Sequence, residues 1–114
     1  MRILHTSDWH LGRSLENISR IDEQRDFISC LTKIVEETNC SVTIDLGHAN
    51  TCENTPEFLE IPNRAYCHLS DNNGIKDQHT ILGKGTLDLN LLKQVQNGIL
   101  ELNNYQKVLE SKKV

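Results

Sequence analysis

A chain of 114 residues has room for one domain and one modest core, and its 37% hydrophobic and 25% charged content suits a water-exposed globule. The formal net charge of −4 and pI near 5.7 argue against a basic groove that grips phosphate backbones by charge alone, although bound metal ions can supply local positive charge. No run reaches the roughly 20 apolar residues of a membrane span, and the opening Met1-Arg2-Ile3-Leu4-His5 is too short in apolar length for a signal peptide, so a cytoplasmic protein with no membrane partner is expected.

Ile3 to Ser7 reads as a first strand ending in Asp8-Trp9-His10, followed by a polar loop through Gly12 and Ser14. Phe27, Ile28, Leu31, Ile34 and Val35 then form a helical stripe, with Asn39 as its stop. The β-branched run Val42-Thr43-Ile44 leads into Asp45 as a second strand. Thr55-Pro56 looks like an N-cap with proline at the first helical position, opening a short helix that carries Phe58, Leu59 and Ile61. Ala65 to Leu69 is a third strand, and Ser70 to Gly85 a polar, glycine-bearing loop. A helix from Asp88 or Asn90 carries Leu91, Leu92 and Val95 to a stop at Asn97-Gly98. Ile99 to Leu102 is a fourth strand, and a last helix with Tyr105, Val108 and Leu109 ends in Lys112-Lys113.

Four β-α units with short connections imply an α/β fold with parallel strands and right-handed crossovers. Four units are half of an eight-unit barrel, which typically needs about 250 residues, so a partial, half TIM-barrel-like sheet or a small open sheet is expected. Cys30, Cys40, Cys52 and Cys67 form no Cys-x-x-Cys pair, and reduced, buried thiols are the simplest reading.

Parallel α/β folds bring the carboxyl ends of their strands to one face, where active sites form. Asp8 and His10 follow the first strand, and Asp45 and His48 the second. His68 ends the third strand, and Asp77 and His79 lie in the loop beyond it. Glu101 lies inside the fourth strand between Leu100 and Leu102, where a carboxylate is costly to bury without a cation or donor. Mixed imidazole and carboxylate ligands suit Zn, Mn or Fe. Plainer roles exist for most of these residues. Asp8 and His10 could be solvated loop groups, Asp45 could cap the next turn, His68 could sit at a sheet edge, and Asp77 and His79 could shape a turn.

Met1 to Gly12, with Asp8-Trp9-His10, closely resembles the opening of the small subunit of the SbcCD exonuclease, a calcineurin-like metallophosphoesterase, and the similarity runs to about Glu37. That resemblance implies a manganese-type, two-metal site cleaving DNA, with Asp8 and His10 as first-motif ligands. The later motifs do not follow: there is no Gly-Asp motif after the second strand, and Gly47-His48 is followed by Ala49-Asn50.

From about Ser41 onward the chain resembles the closing part of a xylose isomerase-like TIM barrel, the superfamily of sugar-phosphate isomerases and epimerases and of endonuclease IV. Ile44-Asp45-Leu46-Gly47-His48-Ala49, His68-Leu69-Ser70-Asp71-Asn72, Asp77-Gln78-His79 and Gly98-Ile99-Leu100-Glu101 carry it in order. The resemblance implies a divalent metal, Zn or Mn, held by Asp45, His68 and Glu101. It also implies His48 on substrate or metal, Asp77 and His79 on a further zinc, and Glu101 as a base. The substrate would be a small sugar or sugar phosphate, or DNA.

The two resemblances together imply a chimera, with residues 1–37 of exonuclease type and residues 38–114 of barrel type. An isomerase-type barrel fragment, a nuclease fragment and a non-catalytic metal-binding remnant are the three functional readings, so catalysis itself stays open. Open sheet edges give self-association as a further expectation.

Overall fold

The computed structural model describes residues 14–52 and 55–114. The expected first strand, with Asp8 and His10, lies outside the described residues. Chain order runs β1 (Ser14–Leu15), β2 (Ile18–Ser19), α1 (Ile21–Thr38), β3 (Val42–Asp45), α2 (Leu46–Ala49), α3 (Thr55–Phe58) and β4 (Arg64–Leu69). A 3₁₀ turn (Leu89–Gln94), β5 (Gly98–Leu100) and α4 (Tyr105–Ser111) complete it.

The polar loop expected near Ser14 is instead a minimal antiparallel hairpin, pairing Ser14 with Ser19 and Leu15 with Ile18. Glu16 and Asn17 both take positive φ (48° and 66°), the two-residue turn whose twist matches paired strands. Helix α1 begins at Ile21, six residues ahead of its apolar stripe, with Asp22 and Glu23 in the first turn where the helix dipole favours acids. Leu31 and Val35 are buried, while Phe27 sits on the flank at 42% exposure. Asn39 ends the helix in the left-handed conformation, as its stop position in the sequence implies.

Strands β3, β4 and β5 form one parallel sheet in that order. The pairs Ile44–Cys67, Asp45–His68 and His68–Ile99 set the register, with an irregularity between Val42 and Thr43. Because side chains alternate, Ile44, Cys67 and Leu100 point to one face, and Thr43, Asp45, Tyr66, His68 and Ile99 to the other. The first face holds the core, where Ile44 and Cys67 pack with Leu46, Ala49, Phe58, Leu59, Ile61, Leu82, Leu87 and Leu91. Leu46 is fully buried, which on its own favours folding by about 1.5–3 kcal/mol. The second face stays open among the described residues, with Tyr66 38% and Ile99 50% exposed.

Three details depart from the sequence reading. Thr55 does not cap its helix; its hydroxyl donates back to the Ala49 carbonyl (3.1 Å), tying α3 to α2. The helix expected from Asp88 to Asn97 is a single 3₁₀ stretch, capped by Asp88 and already extended at Val95. Of the four free thiols only Cys67 is buried, whereas Cys30 is exposed and Cys40 and Cys52 are half-buried.

Candidate metal centre

Asp45 is both the last residue of β3 and the N-cap of α2, its Oδ1 accepting the His48 N–H at 2.9 Å. The capping role and a ligand role are therefore compatible, because Oδ2 is left for a second partner. One turn of α2 then carries His48 above the same strand end. His68 lies directly opposite Asp45 in register, one residue before the end of β4. Strand β5 stops at Leu100, so Glu101 lies just past it, and its N–H donates to the Leu69 carbonyl (3.0 Å), extending the ladder by one rung.

This corrects the expectation of a Glu101 inside its strand and costly to bury. The Glu101 side chain is 47% exposed because it projects from the open face. Its Oε2 lies 2.8 Å from His68 Nδ1. Asp45, His68 and Glu101 each offer a ligand atom, and the three atoms lie within 4.8 Å of one another. Donor atoms bound at about 2.0–2.2 Å to one tetrahedral ion lie roughly 3.3–3.6 Å apart, so the three side chains would draw inward around a bound ion. Two carboxylates and an imidazole suit a borderline divalent cation. Tyr66 stacks on the His68 ring, with centroids 5.8 Å apart and planes at 25°, which restricts the ring's rotation.

A second group adjoins this triangle. His79 lies in the loop after β4 with φ of 48°, a left-handed conformation that costs a histidine about 1–3 kcal/mol. Its Nδ1 is 2.9 Å from the Glu101 carbonyl, and its Nε2 is 3.3 Å from Asp77 Oδ2. His48 Nδ1 is 3.7 Å from the same Asp77 oxygen. The bond to the Glu101 carbonyl holds the His79 imidazole above its usual pKa. Burial works against this shift, and the carboxylates of Asp77, Glu101 and Asp45 support it. The fold thus gathers six of the eight expected site residues at one end of the sheet, and Asp8 and His10 lie outside the described residues.

Sequence reasoning passed over Asp71 and Asn72, which are both fully buried. Asp71 Oδ1 accepts the N–H groups of Asn72 (2.8 Å) and Leu87 (3.0 Å), and Oδ2 those of Gly83 (2.9 Å) and Gly85 (3.0 Å). Asn72 donates to the Gly47 carbonyl and accepts from Asn50 (2.8 Å) and the Gly74 N–H (2.9 Å). The available signal was an Asp two residues past a strand, followed by the closely spaced Gly83 and Gly85. A cavity of about 340 Å³ lies at the opposite, amino end of β4, lined by Arg64, Tyr66, Gln94 and Asn97 among others, far from this chemistry.

No family model matches the chain. It is 43% identical over 60 residues to a subunit of the nuclease SbcCD of Bacillus subtilis, a match covering 53% of this chain and 15% of that protein. An uncharacterised protein of Methanocaldococcus jannaschii is 33% identical over 84 residues, covering 65% of this chain and 29% of the relative. The chain therefore spans less than a third of the length of these relatives. Among solved structures, a D-tagatose 3-epimerase-like protein superposes with a TM-score of 0.57 at 25% identity, covering 81% of this chain and 51% of that one. The resemblance is chimeric and fragment-like: in part to a nuclease component, in part to an epimerase-like TIM barrel. The fold is mixed α/β with a small open parallel sheet of the kind found in part of such a barrel. No helix among the described residues is long and apolar enough to cross a membrane.

Proposed function

We propose that the chain is a divalent-metal-binding fragment of a xylose isomerase-like barrel enzyme, of sugar-phosphate isomerase or epimerase type, joined near residues 38–41 to an exonuclease-type first unit. The observation that carries this reading is the convergence of Asp45, His68 and Glu101 at the carboxyl end of parallel strands, as the resemblance implies. The likeness to an epimerase-like structure over 81% of the chain supports it. Asp45, His68 and Glu101 would hold the ion, and Zn or Mn fits this donor set better than Mg. When bound, the metal would supply Lewis-acid polarisation of a carbonyl or phosphoryl oxygen. Stacking against Tyr66 restricts the His68 ring that would carry the ligand nitrogen. Glu101 would take a proton on one side of a bound sugar, and His48 and His79 with Asp77 would orient that sugar.

Calorimetric titration with zinc or manganese tests this. About one site is expected, weakened by roughly 10-fold or more in Glu101→Ala, an estimate taken from losses at supporting residues. Unchanged binding in the variant with Asp45, His68 and Glu101 all replaced by alanine would sink the assignment. The identity to a nuclease component favours a second reading, in which Asp8 and His10 serve DNA cleavage. A two-metal clamp with ions about 3.5–4 Å apart needs more ligands than these two residues offer, so the first reading is preferred. The second would require manganese-dependent digestion of linear duplex DNA that is lost in His10→Ala.

A further inference from the structure

The segment between β4 and the 3₁₀ turn is long and polar, and it carries two of the residues beside the triad. From Asn73 to Ile81 none of its side chains is buried, and Ile75 is 71% exposed. Apolar packing therefore does not order the part that holds Asp77 and His79. Three polar attachments do. The backbones of Asp71 and Thr80 exchange two hydrogen bonds (3.0 and 2.7 Å), closing the loop at its base. The Asp71 carboxylate gathers Gly83, Gly85 and Leu87 from the returning segment of the loop and Asn72 from the departing one. Asn72 then fixes this base to α2, through the Gly47 carbonyl and Asn50, one residue to either side of the His48–Ala49 pair.

We propose that Asp71 is a positioning residue of the metal centre, acting through its loop to hold Asp77 and His79 against His48 and Glu101. The inference rests on the metal-binding reading above. A buried carboxylate accepting four N–H bonds has no acceptor capacity to spare for an ion. Its geometry leaves no tolerance. A Cβ on Gly85 would stand 2.1 Å from the Asn72 carbonyl oxygen and 2.3 Å from Asp71 Oδ1, and Gly83 has a φ of +81°. The nearest isostere, Asn, offers one oxygen and turns an NH₂ group toward amides that are themselves donors. His79 would then lose the base that keeps it in a left-handed conformation with Nδ1 on the Glu101 carbonyl.

The test is a double-mutant cycle on the full chain, read by calorimetric zinc titration. Asp71→Asn should weaken zinc binding about 10-fold, as should His79→Ala, and the double variant should bind no more weakly than either. Multiplying losses would overturn the proposal, because they would mean that Asp71 acts on general stability rather than through His79. If Asp71→Asn does not fold, Gly85→Ala takes its place in the same cycle with the same two outcomes. A second readout needs no metal. In Asp71→Asn the amides of Gly83, Gly85 and Leu87 should exchange faster while those of Ile44 and Cys67 keep their protection, and the His79 ring nitrogen resonances should move. Unmoved His79 resonances would overturn the positioning role even if zinc never binds, whereas absent zinc binding with the expected exchange pattern would remove only the metal assignment.

Discussion

Gly47→Ala is the most exacting single test of the packing behind the site. The added Cβ would stand 2.0 Å from Ser70 Oγ, 3.3 Å from Ser70 Cβ and 3.3 Å from Asp45 Oδ1. Ordinary contacts need more than 3.4 Å, so α2 and β4 must part by more than an ångström or Ser70 must rotate. Ser70 is 1% exposed and has little room to do so. Overpacking of this kind costs about 1–3 kcal/mol, and replacing glycine within a helix returns about 0.5–1 kcal/mol. A net loss of about 1–2 kcal/mol is expected, or a fall in Tm of roughly 4–12 °C. The structure also supplies the rescue. Ser70 Oγ is buried without a hydrogen-bond partner among the described residues, so Ser70→Ala alone should be neutral or stabilising by up to about 1 kcal/mol. In the double variant only the 3.3 Å contacts remain, and most of the lost stability should return. Thermal melts of the four proteins measure the coupling directly. An unchanged Tm in Gly47→Ala, or no recovery in the double variant, would refute the close approach of α2 to β4.

Burial pushes the Cys67 thiol above its ordinary pKa, with Arg64 partly opposing. The unfolded thiol ionises first as pH rises, so this group's contribution to stability is complete below about pH 8.5 and is lost above it. Urea midpoints at neutral and alkaline pH should show that loss, and an equal alkaline fall in Cys67→Ala would contradict it. Iodoacetamide should label exposed Cys30 well before Cys67, which is 2% exposed, and peptide mass mapping gives the order. Among the described residues, the open sheet face and the edges of β3 and β5 predict self-association. Light scattering over a concentration series should show a mass that rises above 13.0 kDa, and a constant 13.0 kDa with a sharp, cooperative melt would show that the described packing suffices alone.

Much of the architecture was legible because local chemistry and tertiary structure agree. Val42-Thr43-Ile44 and Ala65 to Leu69 are strands by composition, and Asn39 stops α1 because asparagine tolerates the left-handed conformation found there. The convergence of Asp45, His68 and Glu101 followed from parallel topology, since strands running the same way bring their carboxyl ends together. What escaped depends on partners distant in sequence. Nothing near Glu101 says that its side of the sheet is uncovered among the described residues, so its two leucine neighbours suggested burial that the described fold does not impose. The Asp71 clamp spans residues 71 to 87 through backbone donors, which carry no residue signature beyond two glycines. The segment after Asp88 has helical spacing, yet Asp88 accepts from Asn90, only two residues on, and Val95 is pulled into extended backbone ahead of β5.

The position of the site follows from the asymmetry of the sheet. Parallel sheets are ordinarily covered on both faces, because their strands carry apolar side chains to both sides. Here one face buries Ile44 and Cys67, whereas the other presents Thr43, Tyr66 and Ile99 toward solvent among the described residues, with Asp45, His68 and Glu101 along its rim. In a closed barrel that second face is the packed interior, and the rim is the mouth where substrate meets metal. The charged rim is tolerated in the open sheet because water still reaches Glu101 and His68, which need not be paired by an ion to remain stable. Covering the face would withdraw that water. The two carboxylates would then repel each other across a drier gap, and a bound cation would become the most favourable way to keep them together. Metal affinity and closure of the sheet should therefore rise together: zinc should shift the chain toward its associated form, and association should tighten zinc by the same factor, as linkage requires. Light scattering with and without zinc reads the first half of this coupling, and a zinc-independent mass in a chain that binds zinc would refute it.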